Sequence, residues 1–270
     1  MAHSAEHKQR DLVRERFTRT AQQFAKFSLA TRTEEAARLA ALAAPRGTER
    51  ALDLACGPGT FTRAFAPRVK SLVGLDLTPA LLNEARAAAV AANLRNLSFA
   101  VGDASALPMA DASLDLVICA YSFHHFAEAE RAVAELARVT RVGGCAAIAD
   151  LIVPDDPAAA DLNNRIERAR DASHTRTLAA GELCALLEDA GFAVRASEIG
   201  ERPRSFDDWM RVAGWEPGDP AYAETRRLME SSIAGDVAGF HPRLAETANS
   251  AGRPDIIYVQ TSLFVIAHRL

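Results

Sequence analysis

Short apolar runs alternate with stretches of helical spacing along most of the chain. The runs at 50–55, 71–75, 97–101, 114–120 and 145–152 are predicted strands. Strands of a parallel sheet covered on both faces read as continuous apolar segments. Helical spacing falls between them at 60–66, 79–92 and 128–139. Thr78 followed by Pro79 predicts a helix start, and Gly143-Gly144 predicts a turn before the fifth strand. Ahead of the first strand, residues 10–44 read as helical, with Leu39, Leu42 and Ala43 on one stripe before Pro45 and Gly47.

The rhythm changes after Pro154. Residues 155–176 are polar, charge-rich and helical in part, and a helix at 178–190 is predicted to end on Gly191 in a left-handed cap. Residues 192–198 and 256–267 read as the sixth and seventh strands. Between them, 203–250 is predicted to hold short helices around Trp209, Trp215, Tyr222 and Met229, the tryptophans serving as core. The expected fold class is α/β: a Rossmann-like, seven-stranded, mostly parallel sheet with helices on both faces. An N-terminal helical cover is expected over 1–45, the ligand-binding core over 46–152, and a lid insertion with the remaining core strands over 153–270.

Composition narrows the partners. Of 270 residues, 49% are hydrophobic and 24% charged, enough for a sizeable core. A net charge of −4 with no basic stripe argues against nucleic acid or an anionic membrane as partner. No apolar run approaches membrane-spanning length and the first twenty residues lack a signal-peptide core, so a cytoplasmic location is expected. Cys56, Cys119, Cys145 and Cys184 form no Cys-x-x-Cys pair, so neither a metal site nor a disulfide framework is expected. Oligomeric state has no signature here.

Ligands of open α/β sheets bind beyond the carboxyl ends of the strands. The first strand runs into Asp53-Leu54-Ala55-Cys56-Gly57-Pro58-Gly59, the second ends at Asp76, the third at Gly102-Asp103, the fourth at Tyr121-Ser122-Phe123-His124-His125, and the fifth at Asp150. Gly57 and Gly59 permit a tight turn against which a ligand can lie. The third position of a dinucleotide pattern is Thr62 rather than glycine, and a carboxylate at Asp53 would repel a pyrophosphate and favour a cation. Asp76 is spaced for ribose hydroxyls and Asp103 for an exocyclic amine such as adenine N6. These features ask for a cationic, amine-bearing nucleoside without phosphates, and S-adenosylmethionine is such a molecule.

Asp53 to Thr60 resembles motif I of the class I S-adenosylmethionine-dependent methyltransferases. Gly74-Leu75-Asp76 resembles their acidic second-strand motif, and Gly102-Asp103-Ala104 with Leu107-Pro108 and Leu114-Asp115 resembles the next two. Arg138 to Gly144 is similar to the turn that follows. Within that family the chain resembles the type 11 branch related to ubiquinone and menaquinone C-methyltransferases. The resemblance implies a donor site made by Asp53, Ala55, Cys56, Gly57, Gly59, Asp76, Leu77, Asp103, Ala104 and Ala120. Phe24 stands where many relatives carry a tyrosine that closes over the methionine moiety, so it offers a ring face without a hydroxyl.

The implied reaction is methyl transfer by in-line displacement to a small-molecule acceptor. Proximity and orientation carry such a reaction, so no triad or metal is required. His124, His125 and Asp150 are the candidate catalytic residues, since histidine titrates near neutrality and an alcohol or amine acceptor needs a base. His174 and Arg176, on the inserted segment, are candidate substrate contacts. Rival functions are a non-catalytic S-adenosylmethionine-binding protein, a nicotinamide-dependent oxidoreductase (disfavoured by Asp53 and Thr62), and other chemistry on this scaffold such as decarboxylation.

Overall fold

The computed structural model describes residues 2–248 and 252–270. Helices α1 (Ala2–Arg19) and α2 (Ala21–Ala43) precede the sheet and break at Thr20, where the sequence predicted one continuous helical stretch. There follow β1 (Arg50–Leu54), α3 (Thr60–Phe65), β2 (Ser71–Asp76), α4 (Pro79–Ala91), β3 (Leu97–Val101), β4 (Leu114–Ala120), α5 (Ala129–Val139) and β5 (Thr140–Leu151). The remainder is α6 (Pro157–Arg170), α7 (Ala180–Asp189), β6 (Phe192–Ser205), α8 (Phe206–Ala213), α9 (Pro220–Ile233), β7 (Arg243–Ala248) and β8 (Pro254–Arg269).

The main path of the sheet is β3-β2-β1-β4-β5-β8-β6. β1 to β5 pair in parallel, while β8 runs antiparallel between β5 and β6. These are the seven expected strands in a Rossmann-like α/β sheet. β7 joins as an eighth beside β8, within the segment read as short helices. Gly143, with φ +73°, makes its turn inside β5, where the register against β4 slips between Leu114 and Leu116. Thr78 takes the N-cap position of α4 but makes no capping hydrogen bond through its side chain.

Alternation along the strands fills two cores. Leu52, Leu54, Val117, Cys119, Ala146 and Ile148 face α5 and α7. Ala51, Leu116, Ile118, Ala147, Ala149 and Phe264 face α2 and α3. Ala36, Leu39 and Ala40 of α2 belong to that second core, at helical spacing. A third core joins α6, α8 and α9 to β8 around Phe206, Trp209, Met210, Tyr222 and Tyr258, with Trp215 packed against it. Residues 199–205 of β6 were not read as strand. They form a sheet edge of exposed and half-buried residues carrying Glu201, Arg202, Pro203 and Arg204, a polar run of the kind that blunts sheet edges. Among the described residues no helix is long and apolar enough to cross a membrane.

Candidate functional site

β1, β2, β3 and β4 all end at one side of the sheet, and a cavity of about 1130 Å³, its open mouth included, lies over those ends. Ala55, Gly57 and Gly59 have φ of +52°, +53° and +78°, so the chain doubles back directly after β1. Gly59 suits this turn twice over: it adopts a left-handed φ, and a Cβ there would stand 3.2 Å from Cβ of Ala85. Asp76 braces the turn. Its Oδ2 accepts from the Gly57 N–H at 2.8 Å and its Oδ1 from the Thr78 N–H at 2.8 Å. Burial raises the Asp76 carboxyl above its ordinary value, and those two backbone donors pull it back.

Ala55, Cys56, Gly57, Asp76, Leu77, Asp103, Ala104, Ala120 and Phe24 line the cavity together. Asp53 and Gly59 stand behind the wall. The Asp53 carboxylate is 1% exposed and accepts from the Thr62 hydroxyl at 2.5 Å. Burial pushes its pKa up to about 7, opposed by the Thr62 hydrogen bond. The expected encounter between Asp53 and a cationic ligand is therefore corrected: the carboxylate lies under the loop, and Thr62 is its partner. Asp103 is on the wall but engaged, its Oδ1 accepting from the Ser105 N–H and hydroxyl and its Oδ2 pairing with Arg10 Nε at 2.7 Å.

Arg10 belongs to α1, which roofs the cavity with Glu6, Gln9, Arg10, Val13 and Phe17. Gln9 Nε2 donates to the carbonyls of His125 and Ser173, and Arg16 pairs with Asp171 at 2.8 Å in a buried bridge. The rings of Phe17 and Phe24 meet edge-on with centroids 5.1 Å apart. Sequence reasoning singled out only Phe24 from these two helices.

The residues expected to do chemistry separate. His125 lines the cavity; His124, Asp150, His174 and Arg176 do not. Asp150 is 2% exposed and accepts from the backbone N–H groups of Ser122, Phe123 and Leu151, while its Oδ1 lies 2.6 Å from His124 Nδ1. Burial works against the Asp150 charge, but His124 and the backbone donors outweigh it and hold the pKa below its ordinary value. This pair locks the chain after β4 instead of facing a ligand. His125 Nδ1 is 3.0 Å from the Ser173 carbonyl, and burial, with His124 beside it, lowers its pKa to about 3. A neutral imidazole so depressed is a weak base at physiological pH. His174 is buried with Nε2 on Asn164, and burial drives its pKa far down. Arg176 is exposed and pairs with Glu182.

Sequence reasoning missed Arg32 and gave Tyr121, placed at the end of the fourth strand, no role; both line the cavity. Tyr121 has φ +56°, an uncommon value for a bulky residue, and its N–H donates to the Ala149 carbonyl at 2.6 Å. Arg32 had a readable signal: Ser28, Arg32, Ala36 and Leu39 share the buried stripe of α2, so an arginine stands where an apolar residue is expected.

Comparison with known proteins agrees with this geometry. The family model for a methyltransferase domain matches residues 52–148. YcgJ of Bacillus subtilis, described as an uncharacterized methyltransferase, is 31% identical over 209 residues, covering 77% of this chain and 80% of its own. Its crystal structure superposes with a TM-score of 0.79 at 27% identity, covering 87% of this chain and 98% of that one. The demethylmenaquinone methyltransferase of Deinococcus radiodurans is 42% identical over 108 residues, 39% of this chain and 44% of its own. The chain belongs to the class I S-adenosylmethionine-dependent methyltransferase family.

Proposed function

We propose that the cavity binds S-adenosylmethionine and that the protein transfers its methyl group to a small-molecule acceptor. The observation that carries this reading is Asp76, on the cavity wall with both oxygens fixed by the backbone N–H groups of Gly57 and Thr78. A carboxylate held this way can still accept from ribose hydroxyls through its remaining lone pairs, since each oxygen has room for a second donor. The bend at Gly57 leaves backbone open to the ligand and holds no basic side chain for a pyrophosphate. Leu77 and Ala104 offer an apolar slot for a purine, and Asp103 keeps acceptor capacity for an amine at its edge. Phe24 supplies a ring face over the turn, within 3.7 Å of where a Gly57 Cβ would lie. The donor site is thus Ala55, Cys56, Gly57, Asp76, Leu77, Asp103, Ala104, Ala120 and Phe24, with Asp53 and Gly59 shaping it from behind.

When bound, S-adenosylmethionine supplies an electrophilic methyl on a positively charged sulfur. The protein aligns the partners and excludes water; α1 closes the top of the cavity, and orientation alone lowers such barriers by on the order of 7–11 kcal/mol in well-aligned systems. Of the candidate bases only His125 faces the cavity, and its low pKa suits it to orienting an acceptor rather than carrying a proton. His124 and Asp150 then act as positioning residues for the chain after β4. The acceptor on this reading is already nucleophilic.

Calorimetry with S-adenosylmethionine, S-adenosylhomocysteine and NADH tests the donor. Binding of the two sulfur nucleosides without NADH supports the reading, and the reverse overturns it. Incubating the protein with isotopically labelled donor and a metabolite extract, then identifying labelled products by mass spectrometry, tests catalysis. Donor binding without labelled product or S-adenosylhomocysteine would mark a binding protein instead.

A further inference from the structure

Arg32 lines the cavity beside Phe24, Ser28 and Tyr121, and its charge is only loosely paired, with Glu35, whose Oε2 is itself buried without a hydrogen bond. Arg32 is 8% exposed, and its Nε and Nη1 are buried without a hydrogen bond. Its ion pair with Glu35 spans 3.8 Å from Nη1 to Oε2, too long for a hydrogen bond. The guanidinium instead lies on the Tyr121 ring, its central carbon 3.3 Å from the centroid. Stacking occupies the flat face of a guanidinium, and of its edge Nε and Nη1 are sealed from solvent while Nη2 is not. Buried donors left unpaired are costly, so native proteins keep few of them.

The surroundings add to the positive charge. Arg204, from β6, shares the Phe27 ring with Arg32, the two guanidinium carbons lying 5.4 and 6.0 Å from its centroid. Arg204 Nη2 and the hydroxyl of Tyr258 are likewise buried without hydrogen-bond partners. Arg202 reaches the same carboxylate as Arg32, with Nε 3.4 Å from Glu35 Oε1. Two arginines therefore share one shielded carboxylate, and Arg204 lies against the same Phe27 ring as Arg32. Burial lowers the Arg204 pKa and the Arg32 charge lowers it further, while Tyr258 and Glu35 oppose the shift.

We propose that this end of the cavity is an oxyanion site, and that the methyl acceptor is a small carboxylate or phosphate compound anchored on Arg32. The anchored group is a handle; the nucleophile is another atom of the same molecule, directed toward the wall formed by Gly57 and Ala120. The inference rests on the donor site proposed above.

The test uses the full chain as wild type, Arg32→Gln and Arg32→Lys. Calorimetry with S-adenosylhomocysteine comes first: failure to bind wild type would sink the donor reading, while unchanged affinity in the variants shows that they are folded. Protein saturated with S-adenosylhomocysteine is then titrated with hexanoate, hexyl phosphate and hexanamide. One or both anions should bind wild type at least about tenfold more tightly than the amide. Whichever anion binds better assigns the handle as carboxylate or phosphate. Arg32→Gln should erase the preference and Arg32→Lys retain part of it. Equal affinity for anions and amide, no anion binding at millimolar concentration, or an undiminished preference in Arg32→Gln overturns the proposal. The wild-type comparison stands even if a variant fails to fold.

Discussion

Two walls of one cavity treat their charged groups in opposite ways. On the Asp76 wall every charged group is satisfied: Asp76 by two backbone donors, Asp103 by Ser105 and Arg10, and Asp53, behind it, by Thr62. On the Arg32 wall, Arg32 and, behind it, Arg204 and Tyr258 hold buried atoms with no partner. The first wall is preorganised and holds its shape alone. On the proposal above the second is completed by a ligand, so the two should respond to mutation differently: the Asp76 wall through structure, the Arg32 wall through binding alone.

The sharpest way to break this contrast is Asp76→Ala. It orphans two buried N–H groups, at roughly 1.5 kcal/mol each, and removes the proposed ribose contact. Donor affinity measured by calorimetry should fall roughly hundredfold; a change below about threefold would show that the turn stands without its brace. Next is Asp53→Asn. The raised pKa of Asp53 means that the folded chain keeps a proton which the unfolded chain releases, so stability is greatest at low pH and is lost as pH climbs toward about 7. Between about pH 5 and pH 7 the wild type should lose about 2 kcal/mol relative to Asp53→Asn, read from denaturant titrations at each pH. Donor affinity should change little, since the carboxylate faces Thr62; a large loss would place it at the ligand after all.

Gly59→Ala probes the backbone. A left-handed alanine costs about 1–2 kcal/mol and its Cβ presses on Ala85, so the melting temperature should drop by roughly 2–8 °C. An unchanged melting temperature would mean that the turn relaxes freely. The smallest effect belongs to Arg10→Met. The Arg10–Asp103 pair is partly exposed and worth under about 1 kcal/mol, so donor dissociation in stopped flow should accelerate only a few-fold.

The same contrast explains what the sequence made legible. The Asp76 wall comes from consecutive residues at strand ends, and the apolar runs that announce those strands also locate their last polar residues. The Arg32 wall draws on α2, the end of β4, the edge strand β6 and the third core, segments that no local pattern connects. β6 hid its second half because an edge strand carrying Pro203 and charges lacks a strand's apolar run, so the stretch from 203 onward reads with the short helices that follow. The histidines mislead for a smaller reason: His124 and His125 are neighbours, and the short helical turn after β4 sends one ring toward Asp150 and the other to the cavity. That phase cannot be read from two adjacent letters. Asp150 sits at a strand end like Asp76, and only tertiary contacts reveal that four donors already claim it.

Helix α1 carries a kinetic consequence. It spans the cavity and is tethered by Gln9, Arg10 and Arg16 to three separate loops. On the proposed reading, a nucleoside under it is held partly by those tethers, so where release of the helix limits product departure, solvent viscosity would slow turnover even with a fast chemical step.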